Sequence, residues 1–554
     1  MRISILSNIN IDMLTRKLSK FHDIYSPKGY GNWVQSILNK DSGLVEFNPE
    51  ALFILLDGHQ LLNPYDKDFF SIKKDIDMYV SYIETFIKNN QEINTFISNI
   101  DLPLLKIDNI KSLRIERKIE EYWYDSLSNL VVGYDNLYVF EMKSLIEKIG
   151  RDNFYSKKMW YLGSIVYSIG GQKALEKEIL RYTKAVEGKR KKCLILDLDN
   201  TLWGGVIGEE GIDNIELSEF KEGARYKDFQ KRIKELKETG VILAIVSKNN
   251  HEDAIEVFSS HEHMVLKEDD FVNIKINWDT KIKNINDLSE ELNIGLDSFV
   301  FIDDNPVERE SVKMALPQVE VPNFPEDTSE LEKLITELYY DYFLSIKATD
   351  EDKKKSQMYR ANIKRKEELK GSGSFDEFLK SLKTKIKIWK AKEVDIDRIA
   401  QLTQKTNQFN LTTKRYTNHD IRNFINSEEY DVYVAAVEDK FGDNGKTVVL
   451  IIKKHYKEKT VEIDTFLMSC RVMGRFIENT IINFIENNYR DKGYEKLMCY
   501  YYPTKKNKPV SKLFERYGYT IKSIDNGGAK QYIIELERTK STKKEYGELI
   551  INEG

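Results

Sequence analysis

Three short apolar runs in the middle of the chain, at 193–198, 241–246 and 299–302, are each followed by polar residues. Stretches with apolar residues at helical spacing separate the runs, so strand and helix alternate as in a doubly wound α/β domain. The carboxyl ends of the parallel strands in such a sheet share one edge, where ligands bind. The polar residues expected at that edge are Asp197, Asp199, Ser247, Lys248, Asp303 and Asp304.

These residue types supply what phosphoryl transfer needs, namely a nucleophile, metal ligands, donors to the phosphate and a proton handler. Asp197 can attack phosphorus. Asp199, two residues further along the same loop, can act as general acid and base. The carboxylates of Asp197 and of Asp303 or Asp304 are hard oxygen ligands that suit Mg²⁺. The sequence therefore predicts a Mg²⁺-dependent phosphoryl-transfer site.

Three further side chains are expected to hold the phosphate. Thr201 and Ser247 can donate hydroxyl groups, and Lys281, which precedes the apolar positions of the next helix, can neutralise phosphate charge.

The order of these groups resembles the four motifs of the haloacid-dehalogenase (HAD) superfamily: DxDxT at 197–201, a serine, a lysine and an Asp-Asp pair. The stretches at 199–209, 277–278 and 301–306 resemble a narrower group, subfamily IIIC, found in FkbH-like proteins. The resemblance implies that Asp199 also binds the metal, through its backbone carbonyl. Because only a short segment separates the first two motifs, no large cap domain is expected over the site, which leaves it open to a bulky partner.

Two charged stretches divide the chain. A basic stretch at 184–192 precedes the first buried strand, and a charged stretch at 350–370 ends in GSGS, which predicts a solvated helix followed by a flexible joint. We expect five segments: an N-terminal block at 1–185, the HAD block at 186–345, a charged helical linker at 346–374, a C-terminal block at 375–540 and a polar tail at 541–554.

The C-terminal block carries the sequence SCRVMGR at 469–475, between a predicted strand and a predicted helix. A glycine-containing loop before a helix offers backbone N–H groups and a positive dipole end to a phosphate. The stretch resembles the pyrophosphate loop of GNAT acetyltransferases, although Phe476 stands where that loop has a small residue. A GNAT-like block with such a stretch also follows the HAD block in FkbH-like proteins. Its implied occupant is coenzyme A or the phosphopantetheine of a carrier protein.

Cys470 lies in this stretch beside Arg471 and before a helix N-terminus, and both neighbours favour the thiolate. A thiolate can accept an activated acyl group; the alternative is a small buried hydrophobe. Cys193 and Cys499 lie in apolar runs and are expected in the core. The segment 405–413 is rich in amides and hydroxyls, which suits either a polyol acyl group or a plain helix-to-loop cap. The residues predicted to bind an acyl or pantetheine group are Arg471, Gly474, Arg475, Asn407, Gln408 and Asn410.

The N-terminal block shows apolar runs at 3–6 and 52–56 that end in Ser7, Asn8 and Asp57. They predict another α/β sheet, similar to the SGNH-hydrolase-like domain that precedes the HAD block in long FkbH-like proteins. The Gly-Asp-Ser and Asp-x-x-His motifs of that hydrolase are absent. We therefore expect a scaffold or carrier-docking role and no hydrolase activity.

The bulk properties exclude several other classes. A net charge of -5 offers no global attraction to nucleic acid or to a membrane surface. Three scattered cysteines make no disulfide framework, and the seven histidines show no zinc-binding spacing. No apolar run is long enough to span a bilayer, and no secretion signal is evident, so a cytoplasmic location is expected.

FkbH-like proteins take the acyl phosphate of 1,3-bisphosphoglycerate, remove phosphate, hold a glyceryl group as an enzyme thioester and pass it to an acyl carrier protein. The resemblance implies that this chain does the same in polyketide-type biosynthesis, with Mg²⁺ as cofactor and Cys470 as the thioester site. One alternative is a HAD phosphatase acting on a small-molecule or protein phosphoester, with a GNAT-like block that only binds. A third hypothesis is a non-enzymatic carrier-docking scaffold.

Overall fold

The predicted strands of the central block form a parallel sheet in the computed structural model of the protein. The structure describes residues 1–29, 31–39, 41–64, 67–102, 107, 109–346, 355–371, 373–536 and 545–552. The chain separates into two compact units, Met1–Glu187 and Gly188–Gly554. Among the described residues, no helix combines the length and the apolar character that crossing a bilayer requires.

The first unit is an α/β unit with a five-stranded parallel sheet in the order β2-β1-β3-β4-β5. Its strands are β1 (Arg2–Ser7), β2 (Asp23–Tyr25), β3 (Ala51–Leu55), β4 (Asn94–Ser98) and β5 (Leu137–Phe140). Its helices are α1 (Asp12–Leu18), α2 (Trp33–Leu38), α3 (Gly43–Phe47), α4 (Gly58–Leu62), α5 (Phe69–Asn89), α6 (Ile115–Gly133), α7 (Met142–Ile149), α8 (Arg151–Phe154), α9 (Lys157–Gly163) and α10 (Ile169–Val186). Apolar clusters cover both faces of the sheet.

Polar residues at the carboxyl ends of β1 and β3 are engaged with each other. The Ser7 hydroxyl donates to the Leu55 carbonyl at 2.7 Å. The Asn8 amide donates to the Asp57 carbonyl at 2.9 Å and accepts from the Asp57 N–H at 2.8 Å. Ser7 is buried and its hydroxyl proton is donated to a backbone carbonyl, so the side chain is not placed to act as a nucleophile.

The HAD block contains a four-stranded parallel sheet in the order β8-β7-β6-β9. Its strands are β6 (Cys193–Leu196), β7 (Ile242–Ser247), β8 (Phe271–Ile276) and β9 (Phe299–Ile302). Its helices are α11 (Ile207–Glu210), α12 (Lys221–Glu238), α13 (His251–Ser260), α14 (Lys281–Leu292), α15 (Pro306–Ala315) and α16 (Leu331–Leu338), and a π-helical turn spans Tyr339–Phe343. Every residue of β6, β7 and β9 is buried, as strands covered on both faces require.

The C-terminal block is built on a nine-stranded mixed sheet in the order β16-β17-β15-β14-β13-β12-β10-β18, with β11 pairing to β14. Its strands are β10 (Thr384–Lys390), β11 (Phe409–Asn410), β12 (Tyr430–Asp439), β13 (Gly442–His455), β14 (Thr460–Met468), β15 (Lys496–Tyr501), β16 (Thr520–Ile524), β17 (Lys530–Glu535) and β18 (Gly547–Ile551). Its helices are α18 (Phe375–Ser381), α19 (Ile396–Lys405), α20 (Asn418–Asn426), α21 (Ile477–Asp491) and α22 (Leu513–Arg516), and α17 (Lys355–Gly371) precedes them.

Two expectations about this region are wrong. Part of the predicted polar tail forms strand β18, which pairs in parallel with β10 at the edge of the sheet. The expectation followed the charged residues before 547 and overlooked the β-prone residues Leu549, Ile550 and Ile551. The predicted solvated helix, α17, instead buries Met358, Tyr359 and Arg365.

Helix α17 packs against both neighbouring sheets. It contacts β8 and α14 of the HAD block, and β13 and the 3-10 turn Cys470–Val472 of the C-terminal block. Met358, Asn362 and Arg365 stand on one face of the helix because they are spaced at four and three residues. The charged stretch at 350–370 predicts an exposed Arg365, but the guanidinium of this residue is buried.

A buried carboxylate explains that burial. Asp439, at the end of β12, is fully enclosed and accepts from Arg365 Nε at 2.6 Å and Nη2 at 2.7 Å, and from Arg475 Nη1 at 2.8 Å. Arg475 also donates to Asn362 Oδ1 at 2.9 Å and to the Arg471 carbonyl at 2.6 Å. The network ties α17 to the loop before α21.

We predict that Asp439→Ala destabilises the second unit by about 3–5 kcal/mol, because two buried guanidinium groups would lose their shared partner. Urea unfolding followed by fluorescence measures the change. The neighbouring, partly exposed pair of Glu438 with Lys387 provides the control, since Glu438→Ala should cost under about 1 kcal/mol. Equal effects of the two substitutions would contradict the role given to Asp439.

Candidate active site

The register of the central sheet brings the ends of three strands together. Leu196 lies beside Ile245 in β7 and beside Ile302 in β9. The next residue, Asp197, donates its N–H to the Ile302 carbonyl at 3.0 Å. Asp197, Ser247 and Asp303 therefore meet at one edge of the sheet, as the sequence predicts.

Three carboxylates and one lysine form the centre of this edge. Oxygen atoms of Asp197, Asp303 and Asp304 all lie within 4.8 Å of one another. Lys281, the first residue of α14, places Nζ 2.9 Å from Asp197 Oδ2 and also contacts Asp303 Oδ2. Asp197 Oδ1 is buried and has no hydrogen-bond partner among the described residues. Converging oxygens with one unpaired buried acceptor are the donor set that a hard divalent cation takes.

The electrostatics of the cluster point the same way. Burial, reinforced by the charge of Asp197, raises the pKa of Asp303 to about 6 and also raises the pKa of Asp304. Burial works against the ammonium of Lys281, but the charges of Asp197 and Asp303 prevail and raise its pKa. Three carboxylates beside a single ammonium leave a negative excess that a bound cation would neutralise.

Asp199 is held apart from the cluster by three donors. Its Oδ1 accepts from Trp203 Nε1 at 3.0 Å and from the Ile207 N–H at 3.1 Å, and its Oδ2 accepts from Asn249 Nδ2 at 2.9 Å. Burial raises the pKa of Asp199, and these hydrogen bonds only partly offset that effect. A carboxyl group with a raised pKa suits a general acid. Its predicted metal contact through the backbone carbonyl stays a prediction.

The two predicted hydroxyl donors occupy different settings. The fully buried Thr201 hydroxyl accepts from the Asp304 N–H at 3.2 Å and lies 3.5 Å from Asp304 Oδ1, so it fixes the loop that carries the third carboxylate. Ser247 ends β7 at the same edge and has Asn249 Nδ2 at 3.5 Å. Both predicted phosphate contacts stay predictions.

Three residues that shape the site were missed from the sequence. Asn249 and Trp203 orient Asp199, and Arg309 donates to the Asp303 carbonyl at 2.8 Å and to the Asp304 carbonyl. The sequence does contain a signal for Asn249. It lies two residues after Ser247, the last residue of β7, just as Asp199 lies two residues after Asp197. Arg309 is the fourth residue of α15 and reaches back to these two carbonyl groups. No sequence pattern indicates this contact.

The entrance to the site has no cap domain within residues 109–346. The segment between Thr201 and β7 holds only the short helix α11, a bridge of Gly204 with Glu216, and helix α12. Large apolar side chains are exposed at or shortly before the first residues of α12, α14 and α15: Phe220 is 78%, Trp278 75% and Val307 69% exposed. Within these residues, no separate domain covers the site.

The structure does not bring Cys470 into this site. Its carbonyl accepts from Asn293 Nδ2 at 3.2 Å, and Asn293 is the C-cap of α14, the helix that begins with Lys281. Twelve helical residues span about 18 Å. Helix α17 contacts the turn that carries Cys470, and its Tyr359 packs in the apolar cluster that contains Cys193. Cys193 starts β6, whereas Asp197 follows the end of that strand. The thiol and the phosphate site thus lie at opposite edges of the HAD sheet.

Both arginines of the SCRVMGR stretch are engaged within the protein, and its predicted ligand contacts stay predictions. Arg471 is buried, donates to Ser469 Oγ at 3.2 Å and contacts Met358 Sδ, while Arg475 belongs to the Asp439 network. Gly474 adopts a φ of 79°, and Phe476, with a φ of 55°, packs against Phe375 and Tyr546 at the start of α21. The two guanidinium groups that the motif could offer to a ligand are instead bound by α17 and by Asp439, which are distant from the motif in the sequence.

The segment 405–413 also has a structural role. β14 and β15 pair only from Thr460–Ile463, and beyond that point β11 pairs with β14. Asn410 donates to the Thr406 carbonyl at 3.2 Å and accepts from the Thr413 N–H at 2.9 Å, and Asn407 accepts from Arg415. Of the two hypotheses, the structure favours the cap for Asn407 and Asn410. Gln408 Oε1 is buried without a hydrogen-bond partner among the described residues.

One comparison with known proteins bears on the predicted phosphoryl-transfer site. No protein-family model matches the chain. No curated protein matches it either. The N-terminal part of BF1531 from Bacteroides fragilis, which contains a phosphatase domain and was solved with Mg, is 28% identical, with a TM-score of 0.57. The match covers 63% of this chain and 94% of that chain.

Two acetyltransferases match a smaller share. A mutant form of the spermidine/spermine N-acetyltransferase SpeG from Vibrio cholerae is 15% identical, with a TM-score of 0.23, over 28% of this chain and 95% of that one. The ribosomal-protein-S18-alanine N-acetyltransferase from Escherichia coli is 9% identical, with a TM-score of 0.22, over 29% and 99%. The site geometry and the likeness to BF1531 together support a HAD-like phosphatase domain in this chain.

We predict that Asn249→Ala lowers phosphatase turnover by about tenfold or more, because Asp199 would lose the donor that holds its Oδ2. Steady-state release of phosphate from p-nitrophenyl phosphate measures the change. Asn250→Ala is the matched control, since Asn250 is the adjacent residue, is exposed and makes no side-chain cap. Full activity in Asn249→Ala would show that Trp203 and the Ile207 N–H hold Asp199 alone.

Proposed function

We propose that this protein is a Mg²⁺-dependent phosphatase in which Asp197 is the nucleophile. The observation that carries the proposal is the buried, unpaired Oδ1 of Asp197 inside a cluster of three carboxylates beside Lys281. Mg²⁺ held by Asp197, Asp303 and Asp304 would shield the negative charge of the phosphoryl oxygens. The BF1531 phosphatase domain, solved with Mg, supports this choice of ion.

The residues divide the reaction between them. Asp197 attacks phosphorus, the bond from phosphorus to the leaving oxygen breaks, and Asp199 gives that oxygen its proton. Asp199 then takes a proton from water as the water attacks the aspartyl phosphate, which releases inorganic phosphate and regenerates Asp197. Lys281 holds Asp197 in place and faces the phosphate with a positive charge.

The finer proposal is that the substrate is 1,3-bisphosphoglycerate and that its glyceryl group reaches an acyl carrier protein, as the resemblance to FkbH-like proteins implies. This substrate carries two phosphates of different chemistry. Attack by the Cys470 thiolate on the acyl phosphate would form a thioester and expel one phosphate. The HAD site would hydrolyse the other, which is a phosphoester.

The separation of Cys470 from Asp197 is compatible with this division of work. A glyceryl group fixed on Cys470 cannot span about 18 Å, so the phosphoester has to reach the HAD site before loading or after transfer to the carrier's phosphopantetheine. The absence of a cap among the described residues and the exposed Phe220, Trp278 and Val307 near the starts of α12, α14 and α15 support access by a bulky partner. Polyketide-type biosynthesis is the pathway class that consumes such a loaded carrier.

A second candidate is a phosphatase acting on a small-molecule or protein phosphoester, with a C-terminal block that does not catalyse. The specific observation in its favour is that Arg471 and Arg475 are buried in protein contacts and that residues 409–411 fill the gap beside β14. This candidate requires turnover without a carrier protein and with no dependence on Cys470.

We predict that Asp197→Asn abolishes phosphate release from p-nitrophenyl phosphate, by a factor on the order of 10⁴ or more, because an amide cannot form the aspartyl phosphate. Removal of Mg²⁺ by a chelator should have a similar effect. Asp213→Asn, an exposed acid in the same block, should leave turnover unchanged. Substantial activity in Asp197→Asn would rule out this nucleophile.

We predict that incubation with 1,3-bisphosphoglycerate, Mg²⁺ and a phosphopantetheinylated carrier protein loads a glyceryl group on the carrier, seen by intact mass spectrometry. Without the carrier, an acyl adduct should form on the enzyme and be absent in Cys470→Ala. The Asp197→Asn chain should still form an adduct, but one that keeps a phosphate. An adduct that survives Cys470→Ala would exclude Cys470 as the thioester site, and turnover that is indifferent to both carrier and Cys470 would favour the second candidate.

A further inference from the structure

We propose that Arg309 is a positioning residue for the divalent cation, and that it acts by holding the backbone bend that carries Asp303 and Asp304. The inference rests on the proposed function in so far as these two carboxylates bind Mg²⁺. It deepens that proposal by adding a side chain that acts through the backbone. Among the described residues, Arg309 donates to carbonyl oxygens and makes no ion pair with a carboxylate.

Two consecutive residues can bind one ion only if the backbone bends between them. In a β-strand, successive side chains point to opposite faces of the sheet. Asp303 and Asp304 directly follow β9, yet one carboxylate oxygen of each lies within 4.8 Å of one in the other and of one in Asp197. The chain therefore has to leave the extended conformation as soon as β9 ends at Ile302, and the structure shows a bend at Asp304.

One nitrogen atom binds both carbonyl groups of this bend. Arg309 Nη1 donates to the Asp303 carbonyl at 2.8 Å and also to the Asp304 carbonyl. In an extended strand, consecutive carbonyl groups point in opposite directions, so a single donor cannot reach both. The contact with Arg309 therefore favours the bent conformation over the extended one, and with it the convergence of the two carboxylates.

The helix that carries Arg309 is held in place by contacts that do not involve the bend. Val312 of α15 is fully buried in an apolar cluster that includes residues of β6 and β9. Glu308, the residue before Arg309, accepts from Lys248 Nζ at 2.5 Å, and Lys248 directly follows β7. The first turn of α15 is thus tied to the end of β7, while the guanidinium reaches the loop that follows β9.

Two other contacts hold the aspartates and limit the size of the expected effect. The Asp304 N–H donates to the Thr201 hydroxyl at 3.2 Å, and the Asn305 N–H donates to Asp303 Oδ1 at 2.8 Å. These contacts remain when Arg309 is replaced, so the cation site should be loosened but not lost. Loss of a residue that orients metal ligands typically costs about 10–100-fold in metal affinity, and we expect an effect near the lower end of that range.

Two other roles for Arg309 predict different results. By charge alone, removal of a positive group bound beside three carboxylates would strengthen their attraction for a cation. A role confined to the stability of α15 would lower the free energy of unfolding and leave the cation affinity of the folded chain unchanged. A weaker cation affinity in a folded variant is therefore specific to the positioning role.

The test measures cation binding to the full-length chain, independently of turnover. Mn²⁺ is the probe, because it takes the same oxygen ligands as Mg²⁺ and electron paramagnetic resonance reports its free concentration. We expect the dissociation constant for Mn²⁺ to rise about tenfold in Arg309→Met. Arg309→Lys, which keeps a charged donor, should recover part of the affinity. Asp303→Asn should remove the binding and so identify the site that is being measured.

Lys313→Met is the matched control, because Lys313 lies one turn further along α15 and pairs with the exposed Glu310 at 2.8 Å. This change removes the same charge without touching the bend, so the Mn²⁺ affinity should equal that of wild type. Urea unfolding reports whether each variant is folded. If Arg309→Met does not fold, Arg309→Lys carries the test and should still bind Mn²⁺ more weakly than wild type. Unchanged or tighter binding in the folded variant would overturn the inference.

The inference and the proposed function fail separately. Weaker Mn²⁺ binding in Arg309→Met, with no release of phosphate from p-nitrophenyl phosphate by wild type, would support the role of Arg309 and reject the phosphatase. Phosphatase activity in wild type, with equal Mn²⁺ affinity in Arg309→Met, would keep the proposed function and reject the role of Arg309. Mn²⁺ binding that survives Asp303→Asn would overturn the cation site on which both depend.

Discussion

The parallel pairing of β6 with β7 and β9 is the constraint on which the phosphatase site depends. Because Leu196 lies level with Ile245 and Ile302, the residues that follow the three strands have to share one edge. Asp197 and Asp303 then crowd together, and burial of their like charges has to be offset by Lys281 and by a cation. A shift of one residue in any of these strands would turn the carboxylates away from each other.

A second buried ionic group organises the other half of the second unit. Asp439 accepts from two guanidinium groups, one on α17 and one in the loop before α21. Removing the carboxylate would leave both cations unpaired in the interior, so the helix and the loop are bound to the same position. The residues that resemble a ligand-binding loop thereby join the linker helix to the C-terminal sheet.

The distance between the two reactive groups shapes any account of function. Helix α14 begins at the phosphate site with Lys281 and ends beside Cys470 with Asn293. Chemistry at phosphorus and chemistry at the thiol therefore belong to opposite edges of one sheet, about 18 Å apart. A substrate fixed at one edge cannot react at the other, so a mobile intermediate is needed wherever both groups act on the same molecule.

The sequence by itself determined the central parallel sheet and its cluster of carboxylates, because short apolar runs ending in polar residues leave few other arrangements. It also identified Asp199 as separate in role from Asp303 and Asp304. Only the tertiary structure showed that Arg365, Arg471 and Arg475 are buried. It alone also showed that β18 joins the C-terminal sheet and that Asn293 binds the carbonyl of Cys470. Local patterns report which residues are polar, but whether a charged side chain meets solvent, a ligand or a buried carboxylate depends on a partner that is distant in the chain, as Asp439 is from Arg365.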